Sequence, residues 1–238
     1  MAEWFEEWFG EEYLHLYPHR NEADAERVVA LLSRVLPWQA GWKVLDVACG
    51  AGRHLAALER AGAVPFGFDL SAPLLRRARG MTRRPLVRAD MRALPFRPGV
   101  MDLTVNLFTS FGYFATDEEH HDAIGQMLAT VRPGGWFVID FLNAEQVRDA
   151  LVPAETTRYG DQIAEISRVI TPDGRFVRKT ITLSSGRSFE ERVRLLGPGD
   201  LERMITSFRA RVTGRFGDYA GGPLAGGSRT ILTAQVPA

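Results

Sequence analysis

This sequence predicts a doubly wound α/β fold, a mostly parallel sheet with a small antiparallel β insertion after its fifth strand. Three observations carry that expectation. The apolar run "WKVLDVA" (42–48) passes through a two-glycine turn into a helical pattern. Strand-like and helix-like stretches then alternate as far as residue 142, a rhythm that calls for parallel pairing with crossover helices. Beyond about residue 150 polar and apolar residues alternate around two turn signals, Pro172-Asp173-Gly174 and Ser184-Ser185-Gly186, as in an antiparallel meander of three strands.

The elements follow in order. "EWFEEWFGEEYLHLYPHR" (3–20) puts Trp4, Phe5, Trp8 and Phe9 on one helical face. After the first strand, "RHLAALERAGA" has apolar residues at helical spacing and ends at Gly62. "VPFGFDL" (64–70) is a second strand, and the helix behind it opens at Ser71 with Pro73 in its first turn. "PLVRAD" (85–90) and "VMDLTVNLF" (100–108) are the third and fourth strands. A helix near 117–131 leads through "RPGG" to the fifth, "WFVIDFL" (136–142). "GPGDLERMITSF" is a final helix, followed by strands at 210–217 and 228–235. No internal repeat or low-complexity linker interrupts the chain. It therefore reads as a single domain, 1–238: an N-terminal helical lid segment (1–35), a ligand-binding core (40–150), the insertion (151–197) and a C-terminal helix with strands that complete the sheet (198–238).

Composition narrows the function classes. With 238 residues, 45% hydrophobic and 24% charged, the chain can bury one sizeable core. Zero formal net charge gives no global attraction to nucleic acid or anionic membrane. No apolar run approaches the roughly 20 residues that span a bilayer. The acidic, aromatic start is unlike a secretory leader, so a cytoplasmic protein is expected. A single cysteine, Cys49, excludes an intramolecular disulfide and a cysteine-based zinc cluster, and no metal site is expected.

The turn Asp46-Val47-Ala48-Cys49-Gly50-Ala51-Gly52 lies where a parallel sheet binds ligands, at the carboxyl end of a strand. Without a Cβ, Gly50 and Gly52 let the backbone bend and a ligand lie against it. A dinucleotide fingerprint would carry a third small residue where Leu55 stands, and a phosphate loop would carry a lysine that the turn lacks. What is present instead is an acid at three successive strand ends: Asp46, Asp69 and Asp90. Such acids suit a ligand with amines, hydroxyls and a positive charge and without phosphates, and S-adenosylmethionine meets that description.

"VLDVACGAGRH", "GFDLS", "RADMRALPF" and "DLTVNLFTSFGYF" resemble, in this order, the successive motifs of the class I S-adenosylmethionine-dependent methyltransferases, a Rossmann-like family, and most of all its small-molecule branch. The likeness covers roughly residues 40–142 and extends more loosely through "EERVRL" and "FGDYAGGPLAGGSRTILTA". Ala48 departs from it, because many members have glycine there. The resemblance implies that Asp46 and the backbone of Ala48, Cys49, Gly50 and Gly52 surround the methionine part of the cofactor. It places Asp69 on the ribose hydroxyls, Leu70 against the adenine, Asp90 on the adenine amino group and the Met91 amide on a ring nitrogen. Asn106 and Phe108 would line the sulfonium. The N-terminal segment would fold over the cofactor, bringing Tyr13, Tyr17, His19 and Arg20 near, with Arg20 paired to the cofactor carboxylate.

On the acceptor side, Ser110, Phe111 and Tyr113 are candidate wall residues, and the meander offers Arg192 and Arg194. Enzymes that methylate an exocyclic base amine commonly carry Asn-Pro-Pro-Tyr/Phe where this chain has Asn106-Leu107-Phe108-Thr109. His19 and Tyr113 are the candidates for assisting the nucleophile. His120 and His121, set among acids, read as surface residues, and His54 is placed to bond the cofactor carboxylate or to stabilise its own helix start. The expected activity is methyl transfer from S-adenosylmethionine, leaving S-adenosylhomocysteine, to nitrogen or oxygen of a small-molecule acceptor. The alternatives are an RNA or protein acceptor, or a cofactor-binding protein without catalysis. The expected partners exclude nucleic acid and membrane, and the chain would be a monomer or homodimer.

Overall fold

The computed structural model describes residues 3–16, 22–159 and 162–238. The aromatic start forms two short helices, α1 (Trp4–Trp8) and α2 (Glu11–Leu16), broken at Phe9-Gly10 and followed by a longer α3 (Glu22–Val35). Tyr17, His19 and Arg20 lie outside the described residues. Then come β1 (Lys43–Val47), α4 (Arg53–Arg60), β2 (Val64–Asp69), α5 (Ala72–Ala78), β3 (Leu86–Arg88), β4 (Met101–Asn106), α6 (Asp117–Thr130) and β5 (Val131–Leu142). A short α7 (Ala144–Ala150), capped by the Asn143 side chain, leads to β6 (Ala154–Tyr159), β7 (Gln162–Ile170), β8 (Phe176–Leu183) and β9 (Ser188–Arg194). The chain ends with α8 (Pro198–Ser207), β10 (Arg211–Phe216) and β11 (Arg229–Gln235).

The main sheet has seven strands in the order β10-β11-β5-β4-β1-β2-β3. β1 to β5 run parallel, while β11 is antiparallel to β5 and β10 to β11. The chain winds one way from β1 through β2 to β3, then returns across to β4 and β5, so β1 stands at the switch point. Register brings Val47 level with Phe68 and Asn106, and Asp69 level with Arg88. The glycine turn and the ends of β2, β3 and β4 thus meet at one edge.

Alternate residues of these strands leave the sheet on opposite faces. Leu45, Val47, Phe137 and Ile139 join Ile124 and Met127 of α6 and Ile205 of α8. Val44, Leu103, Val105 and Val138 pack on Val28, Leu31 and Leu32 of α3 and on Leu58 of α4. Both faces are covered, which is why these strands read as nearly continuous apolar runs.

The insertion is a four-stranded antiparallel sheet, β6-β7-β8-β9, one strand more than the sequence suggests. The extra strand, β6, reads "AETTRY", with no apolar alternation to announce it, and it forms by backbone pairing to β7 from Ala154↔Ser167 to Tyr159↔Gln162. Ala164, Ile166, Ile181 and Leu183 cluster with Trp8, Tyr13 and Leu16 of the N-terminal helices and with Leu74 of α5. The helices of the N-terminus are therefore the shared core between the insertion and the main domain.

Candidate active site

The glycine turn combines three residues in the left-handed region: Ala48 (φ 60), Gly50 (φ 55) and Gly52 (φ 88). For alanine this conformation costs roughly 1–2 kcal/mol, so the departure at Ala48 is less mild than its small side chain suggests. The two glycines do different work. A Cβ on Gly50 would meet nothing closer than Leu74 Cδ1 at 4.0 Å, and this residue lines a large cavity. A Cβ on Gly52 would lie 3.0 Å from the Ala78 Cβ, and Gly52 is not among the cavity residues. Gly50 is the open cradle, whereas Gly52 lets α4 pack against α5.

Asp69 closes the turn from β2. Its Oδ2 accepts from the Gly50 N–H and its Oδ1 from the Ser71 N–H, both at 2.8 Å. Burial raises its pKa, against those two hydrogen bonds. Each oxygen keeps a second lone pair, and Asp69 faces the cavity. Asp46 lies behind the turn, buried and outside the cavity lining, and neither of its carboxylate oxygens has a partner among the described residues. Burial first, then the charge of Asp69, push its pKa up to about 8, while Arg53 opposes them. An unpaired buried carboxylate beside an open glycine cradle fits a ligand that brings a cation.

The cavity has a volume of about 920 Å³, at the upper end for ligand sites. Ala48, Cys49, Leu70, Asp90 and Met91 line it together with Gly50 and Asp69. Asp90 is already engaged: both oxygens accept from the Arg92 side chain, as close as 2.7 Å. Burial raises the Asp90 pKa, but the bonds from Arg92 outweigh it and hold the carboxyl below its usual value. Arg92 also reaches Glu119 on α6 at 2.9 Å and Glu3 before α1 at 3.4 Å. One guanidinium so ties the N-terminal helices to the edge of the site, while Phe5, Phe9, Tyr13 and Leu14 close over it.

At the end of β4, Phe108 (φ 58) and Thr109 (φ 60) are two consecutive left-handed residues, a conformation that persists only where surroundings impose it. Asp140 on β5, fully buried, imposes it. Its Oδ2 accepts from the Phe108 N–H at 2.9 Å and from the Tyr219 hydroxyl at 2.8 Å, and its backbone oxygen accepts from the Thr109 N–H at 2.9 Å. Its Oδ1 accepts from Arg229 Nε at 2.7 Å. The Arg53 and Arg229 guanidinium carbons lie 4.1 and 5.4 Å from the Phe108 ring centre. Arg53, Asp140, Tyr219 and Arg229 escaped the sequence reading, although one acid inside the apolar run "WFVIDFL" was a usable signal.

The acceptor-side candidates divide. Ser110 and Tyr113 line the cavity. The Tyr113 hydroxyl donates to the Thr109 carbonyl at 2.6 Å, and Ser110 Oγ to the Leu107 carbonyl at 2.8 Å. Phe111 does not: it is wholly buried in the core against Phe141 and His120. Arg192 faces away, 4.7 Å over the Phe176 ring, and its neighbour Glu191 lines the cavity, because successive strand residues point to opposite faces. Arg194 is held by Asp117 at 2.9 Å. Asn106 is buried off the cavity, and its Nδ2 donates to the Val47 carbonyl at 3.1 Å, pinning β4 to β1. His120 is buried, not superficial, and its Nδ1 lies 2.6 Å from the Thr116 carbonyl. His54 lines the cavity with Nε2 unpartnered among the described residues. Burial, then the charges of Arg53 and Arg229, hold its pKa well below the usual value, so it is neutral.

A family model described as a methyltransferase domain matches residues 44–135. The chain is 33% identical over 131 residues to dTDP-3-amino-3,4,6-trideoxy-alpha-D-glucopyranose N,N-dimethyltransferase of Streptomyces venezuelae, covering 53% of this chain and 54% of that protein. It spans about half the length of the curated relatives it matches. Among solved structures, the CcbJ methyltransferase of Streptomyces caelestis superposes with a TM-score of 0.81 at 18% identity, over 97% of this chain and 98% of that one. DesVI of Streptomyces venezuelae gives 0.70 at 25% identity, over 95% and 96%. Residues 44–135 thus carry a methyltransferase domain, and the chain as a whole is similar in fold to S-adenosylmethionine-dependent methyltransferases, which supports S-adenosylmethionine as its cofactor. No described helix is long and apolar enough to cross a membrane.

Proposed function

We propose that this protein transfers a methyl group from S-adenosylmethionine to nitrogen or oxygen of a small-molecule acceptor, in the cytoplasm. The observation that carries this reading is one continuous cavity that runs from Asp69 and Asp90 past Phe108 to Ser110, Tyr113 and Glu191, beneath the N-terminal aromatics. Its volume of about 920 Å³ leaves room for an acceptor beside the cofactor. The N,N-dimethyltransferase relative, named for an amino sugar nucleotide, favours nitrogen.

When bound, S-adenosylmethionine supplies a sulfonium methyl already activated for in-line displacement. The chain's residues then position and dry the site, which contributes several orders of magnitude. Asp69 holds the ribose hydroxyls on its spare lone pairs, Leu70 and Met91 flank the adenine, and Asp90 takes its amino group. Ala48, Cys49 and Gly50 lie along the methionine part, and Asp46 balances its ammonium from behind. Phe5, Phe9 and Tyr13, from the N-terminal segment before α3, cover the cavity and exclude water. Tyr113, whose hydroxyl donates to the Thr109 carbonyl, lines the cavity on the acceptor side. Its place on that wall makes it the residue to orient the nucleophile, and no strong base is required for a neutral amine.

The test is methyl-labelled cofactor offered with panels of amino sugars, simple amines and phenols, with mass spectrometry of the small molecules. A gain of one methyl on an amine or hydroxyl supports the reading. Label that enters only RNA or protein overturns it.

A further inference from the structure

Arg229 has a place in the site that the methyl-transfer reading leaves open. It stands at the first residue of β11, opposite Leu142, so the antiparallel strand delivers it to the ligand edge of the sheet. Two of its three guanidinium nitrogens are used within the protein: Nε donates to Asp140 Oδ1 at 2.7 Å and Nη2 to the Asp140 carbonyl at 3.3 Å. Nη1 makes no hydrogen bond among the described residues, and Arg229 lines the cavity. Arg53, the first residue of α4 after the glycine turn, shares the Phe108 ring with it, and neutral His54 stands beside both. Tyr219 donates to the other oxygen of Asp140, so the carboxylate is clamped on both sides and the guanidinium is held at one angle.

A guanidinium directed in this way, with one nitrogen presented to the cavity next to a second arginine, is built for an anion with two oxygens. The end of the cavity it occupies adjoins the glycine turn and the start of α3, where Glu22 also faces the space. We propose that Arg229, oriented by Asp140 and Tyr219, binds the carboxylate of the methionine part of the cofactor, together with Arg53. This rests on S-adenosylmethionine being the cofactor. It assigns to the last strand a contact expected from the sequence at Arg20 or His54. Asp140 then has two linked tasks: it aims Arg229 at the carboxylate and, through the Phe108 N–H, sets the backbone at the end of β4.

The experiment compares two probes by calorimetry: S-adenosylhomocysteine, and 5′-methylthioadenosine, which keeps the adenosine and the sulfur but lacks the amino-acid end. Wild-type protein that binds S-adenosylhomocysteine upholds the cofactor reading independently of the variants. Because Arg229→Gln alone would strand the buried Asp140 charge, the variant is the pair Arg229→Gln with Asp140→Asn. We expect its affinity for S-adenosylhomocysteine to fall 10- to 100-fold, with 5′-methylthioadenosine within about twofold of wild type. Tyr219→Phe, which keeps both charges and removes one restraint on Asp140, should lower S-adenosylhomocysteine affinity about three- to tenfold with the same selectivity, and it carries the test if the pair does not fold. Equal losses for both probes, or unchanged S-adenosylhomocysteine affinity, overturn the proposal. The latter result would leave Nη1 to an anionic group of the acceptor.

Discussion

At Asp46 two carboxylate oxygens are buried with no partner among the described residues, and the group keeps its proton up to about pH 8. An unfolded chain ionises this aspartate near its ordinary value of 3.8. The folded state holds the proton more tightly, so this contribution to stability is present at low pH and is lost as pH rises from about 4 to 8. Urea unfolding at pH 5 and pH 8 should therefore show a larger fall for the wild type than for Asp46→Asn. On the proposed placement of the cofactor ammonium, binding at pH 7 releases this proton. Calorimetry in two buffers of different ionisation heat detects the release, and Asp46→Asn removes it. Asp69 behaves differently, because it braces its own turn. Asp69→Ala should weaken S-adenosylhomocysteine binding by about 1–3 kcal/mol. It should also lower the unfolding midpoint, since the Gly50 and Ser71 N–H groups lose their acceptor. A mutant with wild-type affinity would remove Asp69 from the cofactor site.

Between strand and helix, the two glycines of the turn separate binding from stability. Gly50→Ala keeps open space around its Cβ and should cost about 1 kcal/mol of stability for its left-handed backbone, yet block the cradle and cut cofactor affinity at least tenfold. Gly52→Ala drives a Cβ toward Ala78 from a φ of 88° and should lose more stability than Gly50→Ala, with weaker binding only as a consequence. Denaturation and calorimetry on both variants decide this, and the reverse ranking would assign the glycines wrongly. The N-terminal helices carry a second contrast. Trp8 is 2% exposed and sits against Tyr13 and Phe189, with ring centres 5.6 and 5.0 Å away. A lid resting on the site would give up little stability on losing one aromatic. Because this one fills the core beneath the insertion, Trp8→Ala should cost about 3–5 kcal/mol, read from denaturant midpoints.

For the whole molecule, a ligand that binds only the folded state raises stability by an amount set by its concentration over its dissociation constant, about 2.7 kcal/mol at a hundredfold excess. S-adenosylhomocysteine should shift the thermal midpoint upward and NAD should not, because Leu55 stands where a dinucleotide site needs a small residue and the sheet edge presents acids in place of a pyrophosphate cradle. A shift with NAD alone would sink the cofactor assignment.

Local chemistry made much of this legible in the chain itself. Short apolar runs alternating with helical stretches marked β1 to β5 as the strands of a parallel sheet. The spacing from "VLDVACGAGRH" to "DLTVNLFTSFGYF" placed the turn, Asp69 and Asp90 at successive strand ends. Such features survive in sequence because they depend on residue type and on neighbours a few positions away. The rest depended on distant partners. β6 exists only because β7 offers it a backbone edge, and alternation alone could not decide that Glu191 rather than Arg192 faces the cavity. Phe111 could line a wall or fill a core by its type, and packing against Phe141 decided for the core. The Asp140–Arg229–Tyr219 cluster joins residues up to 89 positions apart. Hydrogen bonds over that separation leave no period and no motif, so only the folded chain could bring those three groups behind Phe108.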